Sequence, residues 1–569
     1  MFLNEYSKWL ASDALTKDEK GELELIKDDE REIESRFSSL ISFGTAGIRS
    51  VYQMGTARFN RFTLGLAACS YCSVLKEKNP SPSVVIGFDC RRGSFELSHH
   101  AASVFAACGV RVRLFRHMRP TPQLSFAVKY YCADGGLNIT ASHNSFEYGG
   151  CKFYAEGGIQ IPDSAADIIR LKMEQSDIFS VPSCDFDEAL KNGDIVYIDE
   201  DFDKIFQEEE LKYSAKISCP DLSEVRVAYT PLHGVGGFAV PSVLQKAGVK
   251  NLFSEPLQSV PDGDFTYAKD PNPENEGCYS LVKSLAEEQK ADIVLATDPD
   301  CDRIGVMALS KEGEYVFLSG NQTGYIMLTY IIQSLKAKNA MPENPFAVST
   351  VVSGRLAEKI ARKEGVRHIK TFTGFKNIAR AVSDDAENCV FAFEEAFGYL
   401  PHTLCLDKDG VGAALLMVKI AAECKAEGRF VTDCLEEIYD KYGRSFEGAI
   451  NIYIDGADWA EKSKKVMTSL RRAVPSSVAG QAVRYFTDFF SGVCLDLEKK
   501  YVESLDKKGV DVLSFKLSDG SEIYIRPSGT EPKIKAYILL EGKSDDSLKA
   551  QAERIEKDIL SLVQQYSEV

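Results

Sequence analysis

Apolar residues fall along this chain in two alternating patterns. Short uninterrupted runs, VVIGFD (84–89), VRVRLF (110–115), VRVAYT (225–230), ADIVLAT (291–297), FAVSTVV (346–352) and CVFAF (389–393), read as buried strands. Stretches with helix-like spacing lie among them, including ELSHHAASVFAACG, SLVKSLAEEQK, GRLAEKIARKEG and AALLMVKIAAECKAEG. Strands alternating with helices predict α/β layers with mostly parallel sheets. The first forty residues are charged and helix-like. Near the other end, EIYIRPSGTEPKIKAYILLEG reads as two strands about a Gly-containing turn, with a charged helix after it.

A chain of 569 residues is too long for one core. Changes of character near 205–220, 318–322 and 445–456 suggest four units: 1–210, 211–320, 321–447 and 448–569. The last is a smaller α+β domain. With 44% apolar and 27% charged residues, the composition is that of a globular protein. The longest apolar stretch, around Tyr325 to Leu335, is too short for a membrane span and reads as a buried helix. No secretory signal is visible at the N-terminus. The fifteen cysteines are scattered, and Cys69 and Cys72 form a C-x-x-C that reads as two buried thiols, so a reducing cytoplasm is expected. A net charge of −17 argues against a nucleic-acid partner but leaves room for a small anion in a cationic cleft.

The candidate chemistry sits where strands end. Loops FDCRRGS, ITASHNS, YTPLHGVGG, ATDPDCDR and FEEAFG each follow a predicted strand, the edge where α/β folds bind ligands. Ser142, in Thr140-Ala-Ser-His-Asn144, offers a hydroxyl that is a poor nucleophile without a base or a favourable field; His143 and Lys152 are the nearby candidates. Read alone, this loop is more simply a Ser/Asn turn between strands. Asp298, Asp300 and Asp302 would point the same way on an extended backbone, and such carboxylates suit a hard divalent ion. Arg303 beside them could neutralise a phosphate. An EF-hand is excluded, because Arg303 occupies its glycine position and Leu309 its final glutamate position.

Arg526, Ser528, Gly529 and Thr530 combine an arginine fork, two hydroxyls and a tight turn, a set that grips phosphate. Gly234-Val-Gly236-Gly-Phe-Ala239 fits a weak dinucleotide pattern and also a simple strand-to-helix turn. Glu394 and Glu395 either accept hydrogen bonds from sugar hydroxyls or cap a helix.

Taken together and in this order, TASHN (140–144), DPDCDR (298–303), FEEAFGY (393–399) and RPSGTEPK (526–533) resemble the phosphoserine, metal, sugar and phosphate loops of the α-D-phosphohexomutase family. FGTAGIR (43–49), TGFK (373–376) and DKDG (407–410) match further signatures of that family. The EEAFGY form is similar to the branch holding bacterial α-phosphoglucomutases and phosphopentomutase-type enzymes.

The resemblance implies three related α/β domains and a smaller fourth around a central cleft. It implies an isomerase that moves phosphate within a sugar phosphate, glucose 1-phosphate to glucose 6-phosphate above all, with mannose and pentose phosphates as alternatives; a metal-dependent sugar phosphatase, passing the phosphoserine's phosphate to water, is the rival class. It places Arg49 near the serine and makes Arg303, Thr373, Lys376, Glu394, Ala396, Lys408, Arg526, Ser528, Gly529 and Thr530 substrate contacts. Mg²⁺ would be held by Asp298, Asp300, Asp302 and phosphorylated Ser142, with glucose 1,6-bisphosphate as activator. Lys152 would be the general base, its pKa lowered by burial and neighbouring cations, while His143 orients. A monomer or homodimer is expected. Three positions depart from the usual pattern: Ser145, Gly149, and Ala396, where a serine is common.

Overall fold

The computed structural model describes residues 2–44, 47–454, 456, 459–505, 508–528 and 533–568. Among these, the strands form four sheets. The first has the order Phe43–Gly44, Gly47–Val51, Tyr148–Ala155, Gly135–Ile139, Ser83–Phe88, Arg111–Phe115, Ile195–Ile198. The second runs Tyr315–Leu318, Ile304–Leu309, Ile293–Thr297, Arg226–Thr230, Asn251–Ser254, and the third Arg367–Thr371, Phe346–Thr350, Cys389–Glu394, Gly398–Leu400. The fourth sheet is antiparallel, and the helices Trp459–Arg472 and Asp545–Glu568 contact its strands.

The three α/β sheets share one topology. In each, three parallel strands take the order third, first, second, and the strand after the third folds back beside it as an antiparallel partner. The hairpins so formed carry TASHN, DPDCDR and EEAF respectively. The apolar runs read from the sequence supply the central strands. They are uninterrupted because helices cover both faces, and the strands Ser83–Phe88, Ile293–Thr297 and Phe346–Thr350 are almost wholly buried. This threefold repeat is not visible as a repeat of residues. It is one of backbone path.

Residue 210, the expected first division, lies inside the helix Asp201–Ile217, which packs on helices of the second and third units. The stretch around Tyr325 is the buried helix Gly320–Ala337, and no described helix is long and apolar enough to cross a membrane. Cys72 is buried as expected, but Cys69 is only half-buried and lies 3.7 Å from Cys108.

The charged N-terminal helices Phe2–Ala11, Lys17–Glu24 and Glu30–Phe37 close one side of the first unit. Their anchor is Trp9, fully buried, with ring contacts of 5.2–5.6 Å to Phe37, Phe62 and Phe179. Replacing Trp9 by Ala is expected to cost about 3–5 kcal/mol of stability through the cavity it leaves. Urea unfolding checks this; an unchanged midpoint would mean that these helices are not packed in this way.

Candidate active site

Ser142 follows the strand Gly135–Ile139 in a turn that places it at φ 53°, in the left-handed region. Its backbone N–H donates to Thr140 Oγ1 at 2.8 Å, and its side chain is buried. Such a backbone persists only when the surroundings hold it, and here Arg91 does so. Its guanidinium donates to the carbonyls of Ser142 (2.6 Å), Ser145 (2.8 Å) and Tyr148 (3.0 Å), and to that of Asn144. Asp89 fixes Arg91 in turn, with Oδ2 3.2 Å from Nε. In the sequence FDCRRGS is legible as a strand-end loop, but nothing in it singles out Arg91. A buried arginine spent on backbone carbonyls leaves no local pattern.

The metal loop differs from its expectation. Residues 298–302 form a compact turn, with Cys301 at φ 56° and its N–H donating to Asp298 O at 2.9 Å. Asp298 Oδ1 accepts from the backbone of Asp302 and Arg303, both at 3.0 Å, so the carboxylates converge by curling, not by strand alternation. All three are wholly buried, and one oxygen from each lies within 4.8 Å of the others. Ser142 Oγ donates to Asp298 Oδ2 at 3.1 Å. Asp300 Oδ1 and Asp302 Oδ1 have no hydrogen-bond partner. Buried orphan carboxylate oxygens beside a serine hydroxyl fit a hard divalent cation.

The glycine loop that matched a dinucleotide pattern serves this turn. A Cβ on Gly234 would stand 2.4 Å from Pro299 Cα, and Val235 N–H donates to Pro299 O at 2.9 Å. Thr121 donates to Asp300 from both its backbone (2.9 Å) and its hydroxyl (2.8 Å), locking the first unit to the second.

Cations surround the carboxylates. Lys152 Nζ lies 2.6 Å from both Asp300 Oδ2 and Asp302 Oδ2, and Lys408 Nζ lies 3.1 Å from Asp302 Oδ2. Burial alone would lower the pKa of Lys152, but Asp300, Asp302 and Asp407 outweigh it and raise the value. Its shift is therefore opposite in sign to the one a partly neutral base requires. Burial and the charges of Arg303, Arg49, Lys535 and Arg91 push His143 well below the ordinary histidine value, so its imidazole is neutral at neutral pH. His143 Nδ1 stands 3.3 Å from Ser142 Oγ. Arg49 donates to Asn144 Oδ1 at 2.7 Å, and burial followed by the charge of Arg303 lowers it to about 10.

The third and fourth units complete the enclosure. Arg303 pairs with Glu274 at 2.6 Å and bridges to Gly398 of the sugar hairpin. A Cβ on Gly398 would meet Lys408 Cδ at 2.2 Å, so only glycine lets that lysine pass to the aspartates. Glu394 ends its strand, buried, and burial raises its pKa to about 7 against the pull of Lys408 and Arg303. Glu395 turns away, accepting from Thr350 Oγ1 (2.8 Å) and Ser353 Oγ (3.1 Å). Ala396 is half-buried in the same turn.

Arg526 Nη1 donates to Thr373 Oγ1 at 3.1 Å, joining the phosphate loop to the third unit, and Lys535 is its cross-strand neighbour. Ser528 N–H donates to Lys533 O at 2.9 Å. Gly529 and Thr530 lie outside the described residues. Lys376 is buried and paired with Asp163 of the first unit. Glu274 and Lys535 were not foreseen; the period-two alternation that puts Lys535 beside Arg526 was the signal for the latter.

Four family models match this chain in order: phosphoglucomutase/phosphomannomutase α/β/α domains I (40–178), II (207–311) and III (319–442), and the C-terminal domain (494–558). Phosphoglucomutase of Staphylococcus aureus strain MSSA476 is 32% identical over 527 residues, covering 92% of this chain and 94% of that protein. The chain belongs to the phosphoglucomutase/phosphomannomutase family. The phosphoglucomutase of S. aureus strain MRSA252 is 31% identical, with 90% and 92% of the two chains covered. The fold is that of the open form of parafusin, a phosphoglucomutase from Paramecium, with a TM-score of 0.66 at 18% identity and coverage of 93% and 96%. A family protein from Burkholderia thailandensis gives 0.66 at 17% identity, covering 92% and 97%. The α-D-phosphohexomutase resemblance read from the motifs is thus the family, and the chain is a phosphosugar mutase.

Arg91 is a positioning residue here. Arg91→Lys, which keeps the charge but loses the fork, is expected to lower kcat about 10- to 100-fold with little change in KM. Steady-state kinetics and a denaturation curve separate this from misfolding; a folded variant with full kcat would remove Arg91 from the account.

Proposed function

We propose that this mutase interconverts glucose 1-phosphate and glucose 6-phosphate through a phosphorylated Ser142 and a bisphosphorylated sugar. The carrying observation is the serine hydroxyl held 3.1 Å from the metal-competent triad, inside a ring of arginines and lysines. Glucose as the sugar is supported by the names of the full-length relatives. In this reading each of four units contributes one loop, and the first division falls ahead of the helix Asp201–Ile217.

The sugar's standing phosphate would sit on Arg526, Ser528, Gly529 and Thr530, with Lys535 beside them. Thr373, Lys376, Glu394, the Ala396 turn and Lys408 would face the sugar. In the first step an oxygen of the sugar hydroxyl bonds to phosphorus, the bond from phosphorus to Ser142 Oγ breaks, and the hydroxyl proton ends on Oγ. The bisphosphate then turns over, and the reverse exchange returns phosphate to Ser142. Phosphoryl transfer gathers charge on the equatorial oxygens, so positioning and cations do most of the work. Arg49, Arg303 and Lys152 supply the protein's share. Mg²⁺ held by Asp298, Asp300, Asp302 and a phosphoserine oxygen would add further charge neutralisation, and free glucose 1,6-bisphosphate would recharge an enzyme that has lost its phosphate. Neutral His143, beside Oγ, is the group fitted to hold the proton there. Lys152 keeps the base role toward the incoming hydroxyl, which requires it to leave the aspartates that now raise its pKa.

Ser142→Ala is expected to abolish turnover and the phosphate-sized mass excess of fresh protein. A folded variant that still isomerises would overturn the assignment. A coupled assay across glucose, mannose, ribose and deoxyribose 1-phosphates should rank glucose first; a pentose phosphate ranking first would correct the sugar while leaving Ser142 in place. If Glu394 accepts sugar hydroxyls as a carboxylate, kcat/KM should fall as pH drops through about 7, where it becomes protonated. Glu394→Gln should lack that limb.

A further inference from the structure

A second group of metal-competent side chains lies apart from the aspartate triad. Glu210 comes from the helix Asp201–Ile217, His402 from the segment after Gly398–Leu400, and Asp409 caps the helix Gly410–Ala426. Their exposures are 0%, 8% and 0%, and one ligand atom of each lies within 4.8 Å of the others. Both carboxylate oxygens of Glu210, both ring nitrogens of His402 and Oδ2 of Asp409 take no hydrogen bond from outside the cluster, within which Glu210 faces both His402 and Asp409. Asp409 Oδ1 is already spent, accepting from Val411 (3.0 Å) and Gly412 (2.9 Å). Five buried polar atoms with no partner beyond one another call for a common partner.

Charge points the same way. Among the described residues no lysine or arginine pairs with Glu210 or Asp409, and Lys419, whose charge reaches His402, is committed to the carbonyls of Ser214 and Ser218. Two buried carboxylates facing each other either share a proton or share a cation. A dication with two carboxylates and a neutral imidazole is a neutral set. The spacing suits it: His402 Nε2 lies 3.1 Å from Glu210 Oε2, and tetrahedral bonds of about 2.0–2.1 Å separate adjacent donors by about 3.3 Å.

We propose that Glu210, His402 and Asp409 form a structural site for a divalent first-row ion, Zn²⁺ in preference to Mg²⁺. Imidazole nitrogen favours zinc, whereas Mg²⁺ takes oxygen ligands in an octahedron and keeps its waters. The ion would tie the helix Asp201–Ile217 to the segment that carries Lys408, whose ammonium reaches Asp302. It would act on the active site by holding that segment, without touching substrate.

The test uses the full chain, stripped with a chelator and dialysed against limiting Zn²⁺ in excess Mg²⁺, with bound zinc read by elemental mass spectrometry. About one tight equivalent per chain is expected, kept in Asp300→Asn and lost in both Glu210→Gln and His402→Ala. Zinc binding by the wild type no greater than by Glu210→Gln, or loss of the zinc in Asp300→Asn, would overturn the site. So would an infrared band of a protonated carboxyl in zinc-treated wild type that Glu210→Gln removes, because the pair would then share a proton. Should the variants fail to fold, Co²⁺-substituted wild type decides: a low-coordinate visible spectrum supports the site, and its absence overturns it.

Discussion

Three aspartates buried from solvent within 4.8 Å of one another repel, and much of the surrounding structure answers that repulsion. Desolvation makes each charge costly, and attraction at close range to cations is what offsets the cost. Lys152 from the first unit and Lys408 from the third both reach into the second unit's loop, and Arg303 flanks it. Asp298, with which no lysine pairs among the described residues, has its pKa raised by burial and by the other two carboxylates, while Lys152, Lys408 and Arg303 hold Asp302 low against burial. A dication that arrives with a phosphoryl dianion adds no net charge to this buried space. The triad therefore suits a metal chiefly in company with phosphate, which ties the metal site to Ser142.

The backbone delivers these groups by one device used three times. A hairpin at the third parallel strand of each α/β sheet turns its loop toward the same space, so TASHN, DPDCDR and EEAF meet although some 250 residues separate the first from the last. The strand before each hairpin is buried on both faces and anchors the loop, while the loop itself adopts left-handed turns at Ser142, Cys301 and Phe397. Strain of this kind is held by neighbours, not by the residues themselves. Arg91 holds the first turn and Gly234 packs under the second; the backbone N–H of Ile304 donates to Phe397 O at the third.

How much of this was legible follows from range. Buried strands and amphipathic helices write their period into adjacent residues, so the α/β layers and most central strands could be read directly. The loop motifs were legible because serine, aspartate and arginine cluster at strand ends for chemistry. Arg91, Glu274 and Thr121 were not, since each acts on backbone or side chains far away in sequence. The sign of the Lys152 shift was also out of reach. Sequence shows that lysine among potential cations, whereas only the fold shows it between two aspartates at 2.6 Å.

The central claim is that the phosphoryl group passing to the sugar is the one carried by Ser142. A rapid-quench chase of isotope-labelled phosphoenzyme with unlabelled glucose 1-phosphate measures this directly. The account predicts that label leaves the protein within one turnover and appears in sugar bisphosphate and glucose 6-phosphate. Label that stays on the protein while product forms, or that leaves as inorganic phosphate, would contradict it.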